Sequence, residues 1–395
     1  MITIGRPSVN VKNGKARLSA AIEKDDEKSS LWFEVEEEYA PFLCEERSDA
    51  FLLGVLHYAM RYGHDIVCEA PVTERLLEQL TKNFLPCFMK ANTASRVGYV
   101  KGQGWWPVHI TAEQAEEVAH PSGGRIVGTG CSCGVDSLHV YACHDDIDYG
   151  CVWNAHALVS GETDEQRSQS FADMVCRASA FLRHIGRKIL VGDTNFDRGC
   201  FIDLTWDGFT TSGNLFCCFA LQKMWRKFYI ASGYDINNYS LKLPLTGDPS
   251  HYEYFLAMTC AMSNILIQID GAHLSRMEKV KRILDYPPTG KFLNVCLRME
   301  AGHKNCTYRC AKCIRTLLEI YCIGGLHKVK EVFDVQFFTK NMHIFLAEYY
   351  VGILRKDAFL CELKPFLTVD VITKIKAFCF VFKRFIKSIS RRLKD

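Results

Sequence analysis

The sequence has no run of the roughly 18 apolar residues needed to span a bilayer, and residues 1–20 lack the apolar stretch of a signal peptide. These absences set the expectation of a cytoplasmic protein that touches a membrane, if at all, at its inner face. Charge of one sign is also scarce, at +3 over 395 residues. That small excess is local: residues 368–395 hold eight Lys/Arg against Asp370 and Asp395, so this stretch is about +6 and the remainder about −3. A core without basic excess argues against nucleic acid as a partner. Two phosphate-loop signatures are missing as well. No Gly-Lys-Ser/Thr closes a Walker A loop, and no Gly-x-Gly-x-x-Gly marks a dinucleotide fold.

Cysteine is plentiful. Nineteen cysteines in a long chain, odd in number and without a leader, read as reduced thiols rather than a secreted disulfide framework. Apolar residues at 48% and charged residues at 24% are ordinary for a globular protein. The length favours two or three domains. The expected segments are an N-terminal α+β region at 1–118, an α/β core at 119–290, a cysteine-bearing segment at 291–325 and a helical region with a basic tail at 326–395.

The most informative stretch is Gly128-Thr129-Gly130-Cys131-Ser132-Cys133-Gly134-Val135-Asp136-Ser137, between a strand at 125–127 and a helix beginning near Asp136. Glycines let backbone N–H groups approach an anion, and a following helix points its positive end at the same place. The bland alternative is an ordinary strand-to-helix turn.

Upstream, short alternating segments at 2–4, 16–22 and 31–35, broken by Asn13-Gly14 and the charged run 23–28, predict a β-rich cap. Helical spacing predicts a helix at 49–62 stopped by Gly63, and a second at 72–83 capped by Thr73 with Leu76, Leu77 and Leu80 inward. Residues 96–110 read as a strand and turn, with Trp105-Trp106 suited to stacking on a base or to the core. From about residue 120 strands and helices alternate, predicting an open, mostly parallel sheet with helices on both faces. The elements are strands at 149–158, 188–191, 243–246 and 265–269, and helices at 164–185 and 215–232. Ligands of such sheets bind beyond the carboxyl ends of the strands. Ser132, Cys133, Gly134, Val135, Asp136, Ser137, Asn154, His156, Asp193 and Asn195 are therefore expected at one edge, the alternative being that they satisfy turn backbone. Ser275 predicts a helix start, and Arg276 and Lys279, three apart, either aim two cations at a polyphosphate or form a solvated face.

Cys296, Cys306, Cys310 and Cys313 are close enough in sequence to close a tetrahedral site around zinc, with an iron–sulfur cluster or four separate buried thiols as alternatives. A basic amphipathic helix is expected at 368–394, packed on the protein or lying on an anionic membrane surface.

Ser132-Cys133-Gly134-Val135-Asp136-Ser137 resembles the Ser-Gly-Gly-x-Asp-Ser loop of the PP-loop ATP pyrophosphatase superfamily, with Cys133 where the pattern has its first glycine. With the cysteines following the loop and the basic helix in the same order, the chain resembles the 7-cyano-7-deazaguanine synthase-like branch. It also resembles a bacterial branch associated with surface-polysaccharide clusters. The resemblance covers about residues 50–335. It implies an ATP-binding enzyme that adenylates a carboxylate or carbonyl oxygen of a small-molecule or glycan-precursor acceptor, releasing pyrophosphate. Ammonia, an amine or a sulfur donor then displaces AMP. On that reading Mg²⁺ accompanies ATP, the loop cradles the phosphates, Lys279 with Arg276 faces the departing pyrophosphate, Asp193 and Asn195 line the substrate side, and the cysteines are structural. The rival readings are a non-catalytic nucleotide-binding or membrane-associated scaffold and a tRNA-modifying enzyme.

Overall fold

The computed structural model describes residues 1–25, 27–92, 105–121, 123–154, 163–196, 210–242, 249–296, 305–308 and 310–371. The expected segments at 96–104, 155–158 and 243–246, and nearly all of the amphipathic segment 368–394, lie outside the described residues. The chain gathers into two compact units, one of residues 1–132 and 143–272 and the other of residues 133–142 and 273–395. The expected segment 1–118 and most of 119–290 fall in the first unit, and the two later segments fall in the second.

The first unit is built on strands β1 (Ile2–Ile4), β2 (Ser8–Lys12), β3 (Lys15–Lys24), β4 (Glu27–Glu36), β5 (Ile66–Cys68), β6 (Val72–Thr73), β7 (Ile110–Thr111), β8 (Gln114–Ala115), β9 (Ile126–Gly130), β10 (Tyr149–Asn154), β11 (Lys188–Thr194), β12 (Trp225–Ala231) and β13 (Leu266–Asp270). Eleven of them form one sheet in the order β13-β12-β9-β10-β11-β4-β3-β1-β5-β7, with β2 paired to β3, while β6 and β8 pair separately. The five strands from β13 to β11 are parallel. In chain order they read 3-2-1-4-5 from β11, the doubly wound arrangement, whose switch point lies beside the first strand. That strand is β9, so the crevice at its carboxyl end falls where the small-residue loop begins. β10 is buried along almost its whole length, as a central parallel strand should be.

The N-terminal strands do not form a separate cap. β4 pairs antiparallel with β11, so the meander β1–β4 continues the core sheet. Alternation sets its register: Ala16, Leu18, Ala20 and Ile22 of β3 and Leu31, Phe33 and Val35 of β4 are buried, with polar neighbours between them. Asn13 and Gly14, at φ 54° and 75°, make the tight turn from β2 to β3. The helix Asp49–Tyr62 is present as expected, ended by Gly63 at φ 70°.

Three other expectations change. The helix expected at 72–83 starts instead at Glu74, after the short strand β6, and continues to Asn92 through a π-helical turn at Gln79–Phe84. Pro86 explains that turn, because it has no N–H to donate and its ring crowds the preceding carbonyls. Thr73 is not a side-chain cap, since its hydroxyl and backbone N–H both donate to Asp49. The long helix expected at 215–232 is a helix, Thr210–Ala220, followed by β12. An apolar run carries no period to separate the two, and Trp225, Phe228, Tyr229 and Ile230 are buried where β12 lies between β9 and β13.

In the second unit, the helices Arg276–Leu284, Ala311–Cys322, Val335–Lys340 and Met342–Leu354 surround a core of Leu317, Leu318, Ile320, Phe333, Phe338 and Phe345. Ser275 caps the first of these through a reciprocal pair with Glu278, as its sequence position suggested. Among the described residues no helix is long and apolar enough to cross a membrane.

Candidate anion and metal centres

In the first unit, two of the loop glycines belong to β9 rather than to the loop. Gly128 is required by packing, since a Cβ there would lie 2.6 Å from the Trp225 ring. The chain then runs through Cys131, whose N–H donates to Cys151 O at 2.8 Å, to the partly exposed Ser132. Asn154 and Asp193 end neighbouring strands in register, and Asn154 Nδ2 donates to Asp193 Oδ1 at 2.8 Å. Those two do meet at the carboxyl edge. Asn195 is engaged elsewhere: its Oδ1 accepts from Trp32 N and its Nδ2 donates to Ser30 O, clamping the end of β11 to β4. His156 lies outside the described residues.

The rest of the loop belongs to the second unit. Cys133, the residue in place of the motif's glycine, is buried and sits at φ 57°, the left-handed conformation that glycine adopts without strain. The backbone here has a conformation that suits glycine although the side chain is a thiol. Gly134 O accepts from Leu138 N, starting the helix Val135–Cys143, in which Val135 and Ser137 are buried and Asp136 is partly exposed in the first turn.

Asp136 accepts two hydrogen bonds from Arg276 Nη1, at 2.9 and 2.7 Å, and lies 3.8 Å from Lys279 Nζ. Arg276 and Lys279 come from the first turn of the capped helix Arg276–Leu284, which is why both reach the same carboxylate. Burial alone would raise the Asp136 carboxyl; the charges of Arg276 and Lys279 override it and hold it below the usual range. Arg276 Nε also donates to Glu319 Oε2 at 3.4 Å, and Glu319 Oε1 lies 3.8 Å from Arg315 Nε. The Arg315 guanidinium stacks over Phe359 at 4.0 Å. Burial and then the Arg315 charge depress Lys312, which also feels Asp136 and Arg276. Four cations, Arg276, Lys279, Lys312 and Arg315, thus share three carboxylates, Asp136, Glu319 and Asp357. The group carries one positive charge more than its carboxylates balance, the kind of site that can take an anion.

Lys312, Arg315 and Glu319 were not singled out as anion-site residues by the sequence, although their spacing of three and four puts them on one face of the helix Ala311–Cys322. That periodicity was the available signal. Only the fold reveals that the face meets Asp136 and Arg276.

The Sγ atoms of Cys296, Cys306, Cys310 and Cys313 all lie within 4.8 Å of one another. Cys310 is the N-cap of the helix Ala311–Cys322, its sulfur accepting from Cys313 N at 3.4 Å. Asn305, buried, ties the two ligand-bearing segments together. Its Oδ1 accepts from Val295 N and Cys296 N, and its Nδ2 donates to Leu293 O and Val332 O. Thr307, at φ 57°, turns the chain back after Cys306. Burial and the neighbouring thiols push Cys306 up to about 12. A cation satisfies such crowding, and four sulfur donors at this separation can hold a metal ion such as zinc.

Comparison of the chain with known protein families, curated proteins and solved structures finds no match.

Proposed function

We propose that the chain is an ATP-dependent adenylating enzyme of the PP-loop type. The observation that carries this reading is the group formed by Asp136, in the first turn of the helix that follows the small-residue loop, with Arg276 and Lys279 from the first turn of the helix Arg276–Leu284. A cation pair fixed by a carboxylate at a helix N-terminus suits a polyphosphate. The doubly wound order of the parallel strands supports it, because the loop leaves β9 at the switch point.

The substrate is ATP as its Mg²⁺ complex. An acceptor carboxylate or carbonyl oxygen attacks the α-phosphorus, a new P–O bond forms, and the bond to the bridging oxygen breaks with its electron pair leaving on diphosphate. Arg276 and Lys279 neutralise that growing charge, and Asp136 holds both cations in place, which makes it a positioning residue. Ammonia, an amine or a sulfur nucleophile then displaces AMP from the activated acceptor, carrying off the acceptor oxygen. The cysteine centre, filled by zinc, supplies a structural anchor and takes no part in the chemistry. The reaction is cytoplasmic on this reading.

The test is calorimetric titration with an ATP analogue blocked between the α and β phosphates, with Mg²⁺, on wild type and on Lys279→Met. Tight binding that falls at least tenfold in the variant supports the reading, and diphosphate release from ATP in the presence of an acceptor establishes turnover. Absence of binding to the folded, metal-loaded wild type would overturn it. Binding with no diphosphate release across an acceptor panel would favour a nucleotide-binding scaffold instead.

A further inference from the structure

The helix Ala311–Cys322 belongs to two centres at once. Its N-terminal end supplies Cys310 and Cys313 to the thiol group, and the same turns carry Lys312, Arg315 and Glu319 into the charged group. Three buried polar atoms on this helix, Arg315 Nε, Thr316 Oγ1 and Glu319 Oε1, have no hydrogen-bond partner among the described residues. Arg315 Nε and Glu319 Oε1 point at each other from 3.8 Å, about 1 Å beyond a charged hydrogen bond. The thiol group is gathered tightly: its four sulfurs lie within 4.8 Å of one another, Cys306 Sγ and Cys313 Sγ are 3.5 Å apart, and a tetrahedral thiolate site with bonds of 2.3 Å needs sulfurs about 3.8 Å apart.

Resting on the anion-site reading above, we propose that metal occupancy of the four-cysteine centre sets the affinity of the Arg276–Lys279–Lys312–Arg315 group for a diphosphate moiety. Cys310 and Cys313 are fixed to the helix at its cap, so a metal that ties them to Cys296 and Cys306 holds the N-terminal end of the helix in place. Glu319 carries that constraint to Arg276, because its other oxygen accepts from that side chain at 3.4 Å. A twelve-residue helix has little rigidity of its own, so its anchor at the N-terminal end decides where its cations stand. Coupling of this kind is reciprocal: if metal tightens diphosphate binding, diphosphate tightens metal binding by the same factor.

The experiment titrates inorganic diphosphate by calorimetry into the full-length metal-loaded protein and into the same protein stripped with a chelator under reducing conditions. The stripped protein is assayed below its melting transition, with its fold checked by circular dichroism. The expected result is binding to the loaded protein and at least tenfold weaker binding to the stripped one. Equal affinity in both would overturn the coupling while leaving the anion site standing. No binding to the loaded protein would overturn the anion-site reading and the coupling with it. If stripping unfolds the chain, cobalt(II)-substituted protein gives the answer in the folded state. Saturating diphosphate is expected to shift the visible absorption of the cobalt–thiolate centre. An unchanged spectrum at concentrations where calorimetry shows saturation would overturn the coupling.

Discussion

The two units bury their titratable groups in opposite ways. In the first, burial pushes many such groups toward their neutral forms. Burial raises the thiols of Cys44 and Cys68 to about 12 and pushes Cys151, Cys217, Cys218 and Cys260 higher still. It raises the Asp49 carboxyl despite two hydrogen bonds from Thr73, and lowers His57 to about 3. In the second, groups of the same types are clustered so that charge meets charge. Asp136 stays below its usual range beside Arg276, and four thiols stand together where a cation can bind them. Burial by itself neutralises; grouping under burial preserves charge, and preserved charge is what binds phosphate or metal. Nineteen cysteines are therefore no signal in themselves, and among the described ones the four that matter stand out by their convergence.

The largest effect that would break this contrast is loss of the metal. Removing it by chelation, or replacing one ligand by Cys313→Ser, is expected to lower the melting temperature by about 10 °C or more, since structural zinc contributes folding free energy directly. Metal content should fall from about one ion per chain to a small fraction. Cys217→Ser, in the first unit, should leave metal content unchanged. Retained metal in Cys313→Ser would sink the four-ligand assignment.

Next comes the buried ion pair. Arg276→Met leaves Glu319, fully buried, without its 3.4 Å partner and Asp136 without two hydrogen bonds. Breaking a buried pair on one side destabilises by about 3–5 kcal/mol. Denaturant titration measures it, and a loss below about 1 kcal/mol would place the cluster in solvent rather than in the interior.

His57 sharpens the contrast from the other side. Its ring meets the Tyr252 hydroxyl and stacks on that residue, with Trp105 edge-on, and burial keeps it neutral. As pH falls through about 6.5 the unfolded chain takes up a proton there, while the folded chain does not until about 3. The unfolded state thus binds more protons, and stability declines by about 1.4 kcal/mol for each pH unit below 6.5. Asp49 works in the opposite sense, because its raised carboxyl binds a proton more readily when folded. The difference between wild type and His57→Gln, followed by thermal melts from pH 7 to pH 5, isolates the ring. Parallel curves would mean that His57 is hydrated.

Much of this was readable in advance wherever a local pattern had one cause. Alternation placed β3 and β4, the apolar stripe and Gly63 placed the helix Asp49–Tyr62, and Ser275 announced a helix start. The loop and the cysteine group were visible as spacing. What remained hidden depended on partners distant in sequence. β12 looked helical because its burial comes from β9 and β13, and the meander looked separate because nothing in β4 signals its pairing with β11. Glu319 shows it most sharply. As a lone glutamate in an apolar helix it looks like a surface residue, and only Arg276, 43 positions earlier, explains why it is fully buried.

The smallest expected effect tests whether Cys133 is a strained stand-in for glycine. Holding a residue with a Cβ at φ 57° costs about 1 kcal/mol, which Cys133→Gly would recover. Against that, glycine forfeits the burial of a small apolar side chain and gains entropy in the unfolded chain, each again about 1 kcal/mol or less. The net change should lie within about 1 kcal/mol of wild type. At Cys217, equally buried but within the helix Thr210–Ala220, no strain is relieved, so the same substitution should destabilise by about 2 kcal/mol or more. Denaturant midpoints for the two variants decide it. Equal losses at both sites would show that Cys133 is kept for its thiol rather than tolerated in a glycine's place.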